Sequence, residues 1–241
     1  MAKLTIGVMQ HNLSNLTQQA LDSLSRAYRP DYEVIVLDNG SNAENRAFLE
    51  TLQTPFPIKK LYLPENKGTA GGWNEVFLNA SSPFIYCLHS DARVWDKDMF
   101  EKLYLDFQLY DKVGAVACCT NYVATEMQRC YLPDSLKGDL ISVSKLDNVS
   151  TMFSKEAWEA VGHFDESYIY GNYEDTDYFM QLLKNGYQLL IDRRVWAEHL
   201  GSKTFFAHDY QSALLQNRAL FLKRWGHYPK EKIFKVLSVN G

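Results

Sequence analysis

Apolar and polar positions come in alternating blocks through the first half of the chain. Short apolar runs at Leu4–Met9, Glu33–Leu37, Lys59–Leu63, Phe84–Leu88 and Val113–Cys118 predict strands. Between them lie segments with helical spacing. These are Leu16–Tyr28, with Leu16, Ala20, Leu21 and Leu24 on one face, then Ala43–Leu52, Thr69–Ala80 and Asp96–Tyr110. Asp38-Asn39-Gly40-Ser41 is a turn cluster that stops the second strand. Strands interleaved with helices predict βαβ crossovers and a mostly parallel sheet. Ligands of such sheets bind outside the carboxyl ends of the strands. Gln10-His11-Asn12, Asp38-Asn39 and His89-Ser90-Asp91 each follow a strand directly, so three strand ends are expected to converge on one crevice.

The second half reads differently. Thr120–Lys145 is polar and irregular, with Pro133 and Gly138. Asn148–Phe153 predicts a strand that leads into a short helix, Lys155–Val161. Gly171-Asn172-Tyr173-Glu174-Asp175-Thr176-Asp177 opens a helix that runs through Lys184, and Asn185-Gly186 caps its end. Tyr187–Ile191 and Val195–His199 predict two further strands. Asp209–Trp225 predicts an amphipathic helix carrying Leu214, Leu215, Leu220, Phe221 and Leu222. No internal repeat and no long linker divides the chain.

Composition narrows the class. The 241 residues are 46% hydrophobic and 22% charged, as expected of an ordinary soluble fold with a sizeable core. A net charge of −4 argues against a general nucleic-acid binder. The balance is uneven, because residues 203–241 carry +5 and the remainder −9. A basic tail suits a solvated helix face, an anionic lipid surface or a polyanionic partner. Cys87, Cys118, Cys119 and Cys130 form no CxxC pair, which excludes a zinc cluster and a secreted disulfide framework. The first three lie in apolar runs and are expected to be buried small hydrophobes. After Lys3 only six apolar-leaning residues precede Gln10, which predicts no signal peptide. No apolar run approaches the ~20 residues of a bilayer span. The expectation is a cytoplasmic protein, and its four Asn-x-Ser/Thr tripeptides are then chance matches.

Several residue groups carry candidate chemistry, each with a plainer alternative. Asp91 at a strand end suits a hard divalent cation completed by phosphates; a turn Asp accepting backbone N–H groups is the alternative. His89 has the alternating offset to point the same way. Asp38 suits hydrogen bonds from a base or ribose, or an Asx turn. Asn66-Lys67-Gly68-Thr69-Ala70-Gly71-Gly72-Trp73-Asn74 joins a strand to a helix. Its glycines allow either a ligand or the sheet to approach closely. Glu174, Asp175 and Asp177 open a helix, where acids complement the dipole; crowded carboxylates also raise one another's pKa toward the range of a general base. His199 closes a strand ahead of Gly201-Ser202 and suits a metal ligand or a structural histidine.

The order of these groups resembles the family 2 glycosyltransferases with a GT-A fold, particularly the bacterial rhamnosyltransferase-like branch. The resemblance runs from Leu4 to about Thr204. Its landmarks are Val34–Ser41, Asn66–Asn74, Leu88-His89-Ser90-Asp91, Gly162-His163-Phe164-Asp165-Glu166, Tyr173–Asp177, Gly186-Tyr187 and His199 with Ser202. It implies a Rossmann-like, mostly parallel α/β sheet flanked by helices, with a smaller acceptor-side region. Residues 1–204 would form one catalytic domain, with a nucleotide-binding half over 1–119 and an acceptor-binding half over 120–204. Residues 205–241 would be a helical extension.

The same resemblance implies roles. Gln10, His11, Asn12 and Asp38 would contact the base and ribose of a nucleoside-diphosphate-sugar, UDP-sugar first. Asn66, Gly68, Gly72, Asn74, His89 and Ser90 would line the nucleotide and sugar. Asp91 matches the last acid of the DxD motif and, with His199, would hold Mn²⁺ or Mg²⁺ on the diphosphate. Asp175 matches the catalytic base, supported by Glu174 or Asp177. Three positions depart from the pattern. His89 replaces the first DxD acid, Gln10-His11-Asn12 replaces Thr-Tyr-Asn, and His163 replaces the second Gly of Gly-Gly-Phe-Asp-Glu. The implied activity is metal-dependent, inverting sugar transfer to a hydroxyl of a glycan or lipid-linked acceptor. A non-catalytic nucleotide-sugar or glycan-binding protein on the same scaffold is the alternative. The terminal helix is a candidate for peripheral membrane contact or a homodimer interface.

Overall fold

Leu4–Gln10 (β1) is buried almost throughout, because neighbours pair on both its edges and helices cover both its faces. The computed structural model describes residues 2–201 and 210–238. After β1 come Ser14–Leu24 (α1), Tyr32–Asp38 (β2), Ala43–Thr51 (α2), Lys59–Tyr62 (β3), Gly68–Asn79 (α3) and Phe84–His89 (β4). Strands β3, β2, β1 and β4 pair in parallel, as βαβ crossovers require. Register aligns their ends: Gln10 stands opposite Asp38, and Met9 opposite His89.

The sheet then becomes mixed. Ala92–Val94 (β5), Met99–Leu109 (α4), Val113–Thr120 (β6), Leu140–Val143 (β7), Ser150–Ser154 (β8), Lys155–Val161 (α5), Glu174–Lys184 (α6) and Gln188–His199 (β9) follow. Tyr210–Trp225 (α7) and Ile233–Leu237 (β10) close the described chain. The sheet order is β10-β7-β9-β6-β8-β4-β1-β2-β3, with β5 on β9. Strand β8 is antiparallel to β4 and β6, whereas β9 is parallel to β6. The pairing of Ala92 with His199 carries the end of β9 to the turn after β4.

One core layer packs Leu21 and Leu24 of α1, Leu49 of α2 and Phe100 and Leu103 of α4 on one sheet face. The other packs Trp73, Val76 and Phe77 of α3, Trp158 of α5 and Phe179 and Leu182 of α6 on the opposite face. All four cysteines are buried and free.

Three segments differ from expectation. The two late strands are one strand, β9, with a register shift where it passes Cys118 and Cys119. Asp192-Arg193-Arg194 lies between the two expected strands, and both arginines find carboxylates far away in sequence. Arg193 Nε donates to Asp139 at 2.6 Å, and Arg194 binds Asp106 at 2.6 Å and Asp192 at 2.7 Å. The irregular stretch 120–145 contains β7, which pairs with β9 and β10. On α7 the buried positions are Ala213, Asn217 and Phe221, spaced by four, while Leu215 is 65% exposed. The helix therefore turns a polar residue inward and leaves a leucine outside. Among the described residues no helix is long and apolar enough to cross a membrane.

Gly40 fixes the turn after β2. Its φ is +69°, and an added Cβ would sit 2.2 Å from the Glu65 carbonyl carbon and 2.3 Å from the Asn66 amide nitrogen. Both the left-handed backbone and the backbone approach demand glycine. Gly40→Ala is expected to cost about 2–4 kcal/mol of unfolding free energy in chemical denaturation. An unchanged midpoint would remove this constraint from the account.

Candidate active site

The carboxyl ends of β1, β2 and β4 open into a cavity of about 770 Å³. Its rim on the β2 side is organised by Asn39. The Asn39 amide donates to the Gly68 carbonyl at 2.9 Å and accepts from the Lys67 amide at 3.0 Å, which fastens the 66–68 loop to the strand end. His11 Nδ1 donates to the Asn39 carbonyl at 2.9 Å, leaving Nε2 to accept from the Asn12 amide at 3.2 Å. Asn12 itself takes a left-handed φ of 56° and accepts from the Asn42 amide, so it shapes the loop beside the cavity.

Gln10, His11, Asn66, Gly68, His89, Ser90, Asp91, Glu174, Asp175 and His199 all line this cavity. Asp38, Gly72 and Asn74 stand behind its wall. Asp38 is fully buried, with one carboxylate oxygen taking the Gln10 amide at 3.1 Å and the other Arg46 Nε at 3.1 Å. An Asp with both oxygens engaged organises the wall, and Gln10 is its contact with the cavity. Gly72 serves close packing, because a Cβ there would lie 2.1 Å from Met9 Sδ. Asn74 donates to the Phe164 carbonyl at 2.9 Å and to Glu166 at 2.8 Å, and accepts from the Phe164 amide at 3.0 Å. It thereby ties α3 to the 162–166 loop. In that loop His163 stacks on Trp158 with centroids 4.0 Å apart, so this departure from the family pattern is absorbed by packing.

Asp91 and His199 meet across the β5–β9 pairing. His199 Nε2 lies 3.5 Å from Asp91 Oδ1, and both side chains are almost fully buried. The other ring nitrogen, Nδ1, donates to the Tyr122 carbonyl at 2.5 Å. That bond fixes the ring so that Nε2 faces the carboxylate, as second-shell partners of metal-bound histidines do. Burial alone would lower the His199 pKa, but the Asp91 carboxylate and Tyr122 carbonyl outweigh it and the net shift is upward. A divalent cation would replace that proton between the same two atoms, so the donor set fits a metal. Among the described residues no three His, Cys, Asp or Glu side chains converge as a cage, so a cation here must draw further ligands from its substrate. His89 sits beside this pair. Burial pushes its pKa down to about 4, His199 adding and Asp91 opposing, and its Nε2 is buried without a hydrogen-bond partner. It is a neutral imidazole with a free nitrogen at the cavity wall.

Glu174 and Asp175, which open α6, line the same cavity. The helix starts from Tyr173, whose φ is 73°, preceded by Asn172 at 70° and Tyr170 at 60°. Three non-glycine residues in the left-handed region within four positions store strain of the kind that gathers at functional sites. Asp175 accepts from the Thr176 amide at 2.6 Å and the Asn148 amide at 3.2 Å. Burial, then the Asp147 charge, pushes its pKa up to about 6, against those amides and Lys145. Glu174 is pushed well above the usual carboxylate range by burial and by Asp175, and its Oε2 has no partner. Both carboxyls are thus held above their ordinary range, and the two amides to Asp175 oppose that shift. Asp177 points elsewhere: it is fully buried and accepts from Tyr168, Gln181, Arg224 and Trp225.

Lys145, Asp147, Asn148, Tyr122 and Tyr228 also line the cavity, although sequence reasoning did not single them out as site residues. They come from the segment between β7 and β8 and from loops after β6 and α7, where no local pattern marks them. Asn148 was visible only as the start of a predicted strand, yet its side-chain amide is buried without a hydrogen-bond partner in the cavity wall.

The sequence model of Glycosyl transferase family 2 matches residues 5–153. The chain belongs to this family. Poly-beta-1,6-N-acetyl-D-glucosamine synthase of Staphylococcus epidermidis is 25% identical over 173 residues, covering 66% of this chain and 41% of that protein. The uncharacterized glycosyltransferase YfnE of Bacillus subtilis is 33% identical over 94 residues, covering 39% of this chain and 22% of its own. The chain therefore spans about two fifths or less of the length of these curated relatives. Among solved structures, the mannosyltransferase PcManGT of Pyrobaculum calidifontis, in complex with GDP-Man and Mn²⁺, superposes with a TM-score of 0.69 at 18% identity. The match covers 95% of this chain and 66% of that one. S. aureus TarS 1-349 in complex with UDP-GlcNAc gives 0.66 at 15% identity, covering 91% and 66%. These likenesses show that the family 2 chain has the GT-A fold. The family match ends before the Gly162 loop and α6, so Glu174 and Asp175 rest on the geometry above.

The Asp175 carboxyl is expected to titrate near pH 6 in carbon-13 NMR, ionised above and protonated below. Asp147→Asn should lower that midpoint, because it removes a charge that disfavours ionisation. A midpoint that Asp147→Asn leaves unmoved would contradict this electrostatic assignment.

Proposed function

We propose that this family 2 chain is a metal-dependent inverting glycosyltransferase. It moves a sugar from a nucleoside-diphosphate-sugar, UDP-sugar first, to a hydroxyl of a glycan or other acceptor. The observation that carries the reading is one cavity lined both by Asp91 with His199 and by Glu174 with Asp175. The ligands of PcManGT and TarS support the donor class, since both were solved with a nucleotide-sugar.

In this reading Asp175 accepts the proton of the acceptor hydroxyl. The hydroxyl oxygen bonds to the anomeric carbon as the bond to the diphosphate breaks on the opposite face. Glu174, whose ionisation burial and the Asp175 charge disfavour, supports Asp175 from the next position. Asp91 and His199 would hold the Mn²⁺ or Mg²⁺, which when bound would supply Lewis-acid stabilisation of the leaving diphosphate, worth several kcal/mol. The 66–68 loop, clamped by Asn39, and the left-handed 170–173 segment orient donor and acceptor, a positioning effect that contributes much of the remaining acceleration.

Donor turnover with a panel of nucleotide-sugars and Mn²⁺ tests the proposal. Asp175→Asn is expected to slow transfer by about 10²–10⁴-fold while nucleotide binding persists. Transfer at the wild-type rate by Asp175→Asn would overturn the base assignment. Release of no nucleoside diphosphate from any donor would overturn sugar transfer itself and favour a binding protein.

A further inference from the structure

Helix α7 presents Asn217 to the strained segment that precedes Glu174 and Asp175. Asn217 is 1% exposed and lies mid-helix on the inward face. Its side-chain oxygen accepts from the Ile169 amide at 2.8 Å. Its side-chain nitrogen donates to the carbonyls of Ile169 and Gly171, each at 2.9 Å, and approaches that of Asn172 at 3.3 Å. One buried amide thus holds both ends of the turn in which Tyr170, Asn172 and Tyr173 adopt left-handed φ values. Left-handed backbone at non-glycine residues persists only where its surroundings over-determine it. An aliphatic residue at 217 would leave these buried backbone groups unpaired.

The rest of α7 is fastened for the same purpose. Arg224 donates to Asp177 at 2.7 Å and also binds Asp165. Trp225 Nε1 donates to Asp177 at 2.6 Å. Phe221 packs against Tyr173, with ring centroids 5.5 Å apart. Tyr210 and Leu214, on the same side of the helix as Asn217, reach the cavity wall. The α6 N-terminus has no side-chain cap of its own, so its start is set by this docking.

We infer that Asn217 is a positioning residue for sugar transfer, which holds residues 169–173 in the conformation that aims Asp175 into the cavity. The inference rests on the reading of Asp175 as the base. The helix and its amide then belong to the working site.

Asn217→Leu, close in volume but unable to hydrogen-bond, tests it in the full chain. The expected result is a fall in kcat of at least about 30-fold, donor KM within about threefold, and faster amide exchange at residues 169–173. The acid limb of the kcat/KM profile, which reports the free enzyme, should also leave pH ~6 as the surroundings of Asp175 change. Asn217→Ser, which keeps a hydroxyl but cannot span the carbonyls, should show the same split to a smaller degree and serves if Asn217→Leu does not fold. Wild-type kcat per folded molecule, or unchanged exchange at 169–173, would overturn the inference. So would equal losses in kcat and donor affinity, which mark general destabilisation. Asp175→Asn measured alongside separates the two ideas. Full activity in that variant removes the base, while amide exchange in the Asn217 variants still reports whether the side chain holds the turn.

Discussion

Parallel hydrogen bonding of β1 to β2 and β4, in a register that sets Gln10 beside Asp38 and Met9 beside His89, is the constraint from which the site follows. These strands are covered on both faces, so their interiors must be apolar and their polar residues collect at the carboxyl ends. Three turns then open at one level. The Asn39 clamp and the Gly40 conformation hold the β2 turn, while the β5–β9 pairing brings His199 to the β4 turn from more than a hundred residues away. Neither half of the Asp91–His199 pair has meaning without that sheet.

Desolvation gives the Glu174–Asp175 pair its character. Burial is the first cause of the raised pKa values of both Glu174 and Asp175. Two backbone amides favour an ionised Asp175, whereas Glu174 keeps one oxygen without a partner. The arrangement is costly in isolation. It is held by the strained turn, and the turn by a buried amide on α7. Asp177, next in the acidic cluster, contributes through this scaffold by anchoring Arg224 and Trp225.

The parallel half of the fold was legible because its strands and helices carry their own periodicity. Asp91, Glu174, Asp175 and His199 each sit at an element's end, where a turn or a helix dipole explains an acid equally well; their order along the chain and its family resemblance singled them out, and all four line one cavity. Asp38, Gly72 and Asn74 were legible as motif members, but the reason for the motif was hidden: they shape the wall from behind through Arg46, Met9 and Phe164. Long-range pairing concealed the rest. Asp192-Arg193-Arg194 reads as a break until Asp106 and Asp139 arrive. Lys145, Asp147 and Asn148 follow a strand, β7, that only its partners define. Asn217 contradicts the amphipathic rule outright, since a polar residue faces inward while Leu215 faces solvent. Its justification is a loop about 45 residues earlier, and no window on the sequence spans that distance.

In the proposed function Asp91 and His199 would hold a divalent cation on a nucleoside diphosphate in the cavity that Asp175 also lines. Calorimetric titration of UDP with and without Mn²⁺ tests it most directly. The account predicts that Mn²⁺ tightens UDP binding by about tenfold or more, and that Asp91→Asn and His199→Gln each remove most of that gain. Equal UDP affinity with and without Mn²⁺, or a full manganese effect in Asp91→Asn, would contradict it.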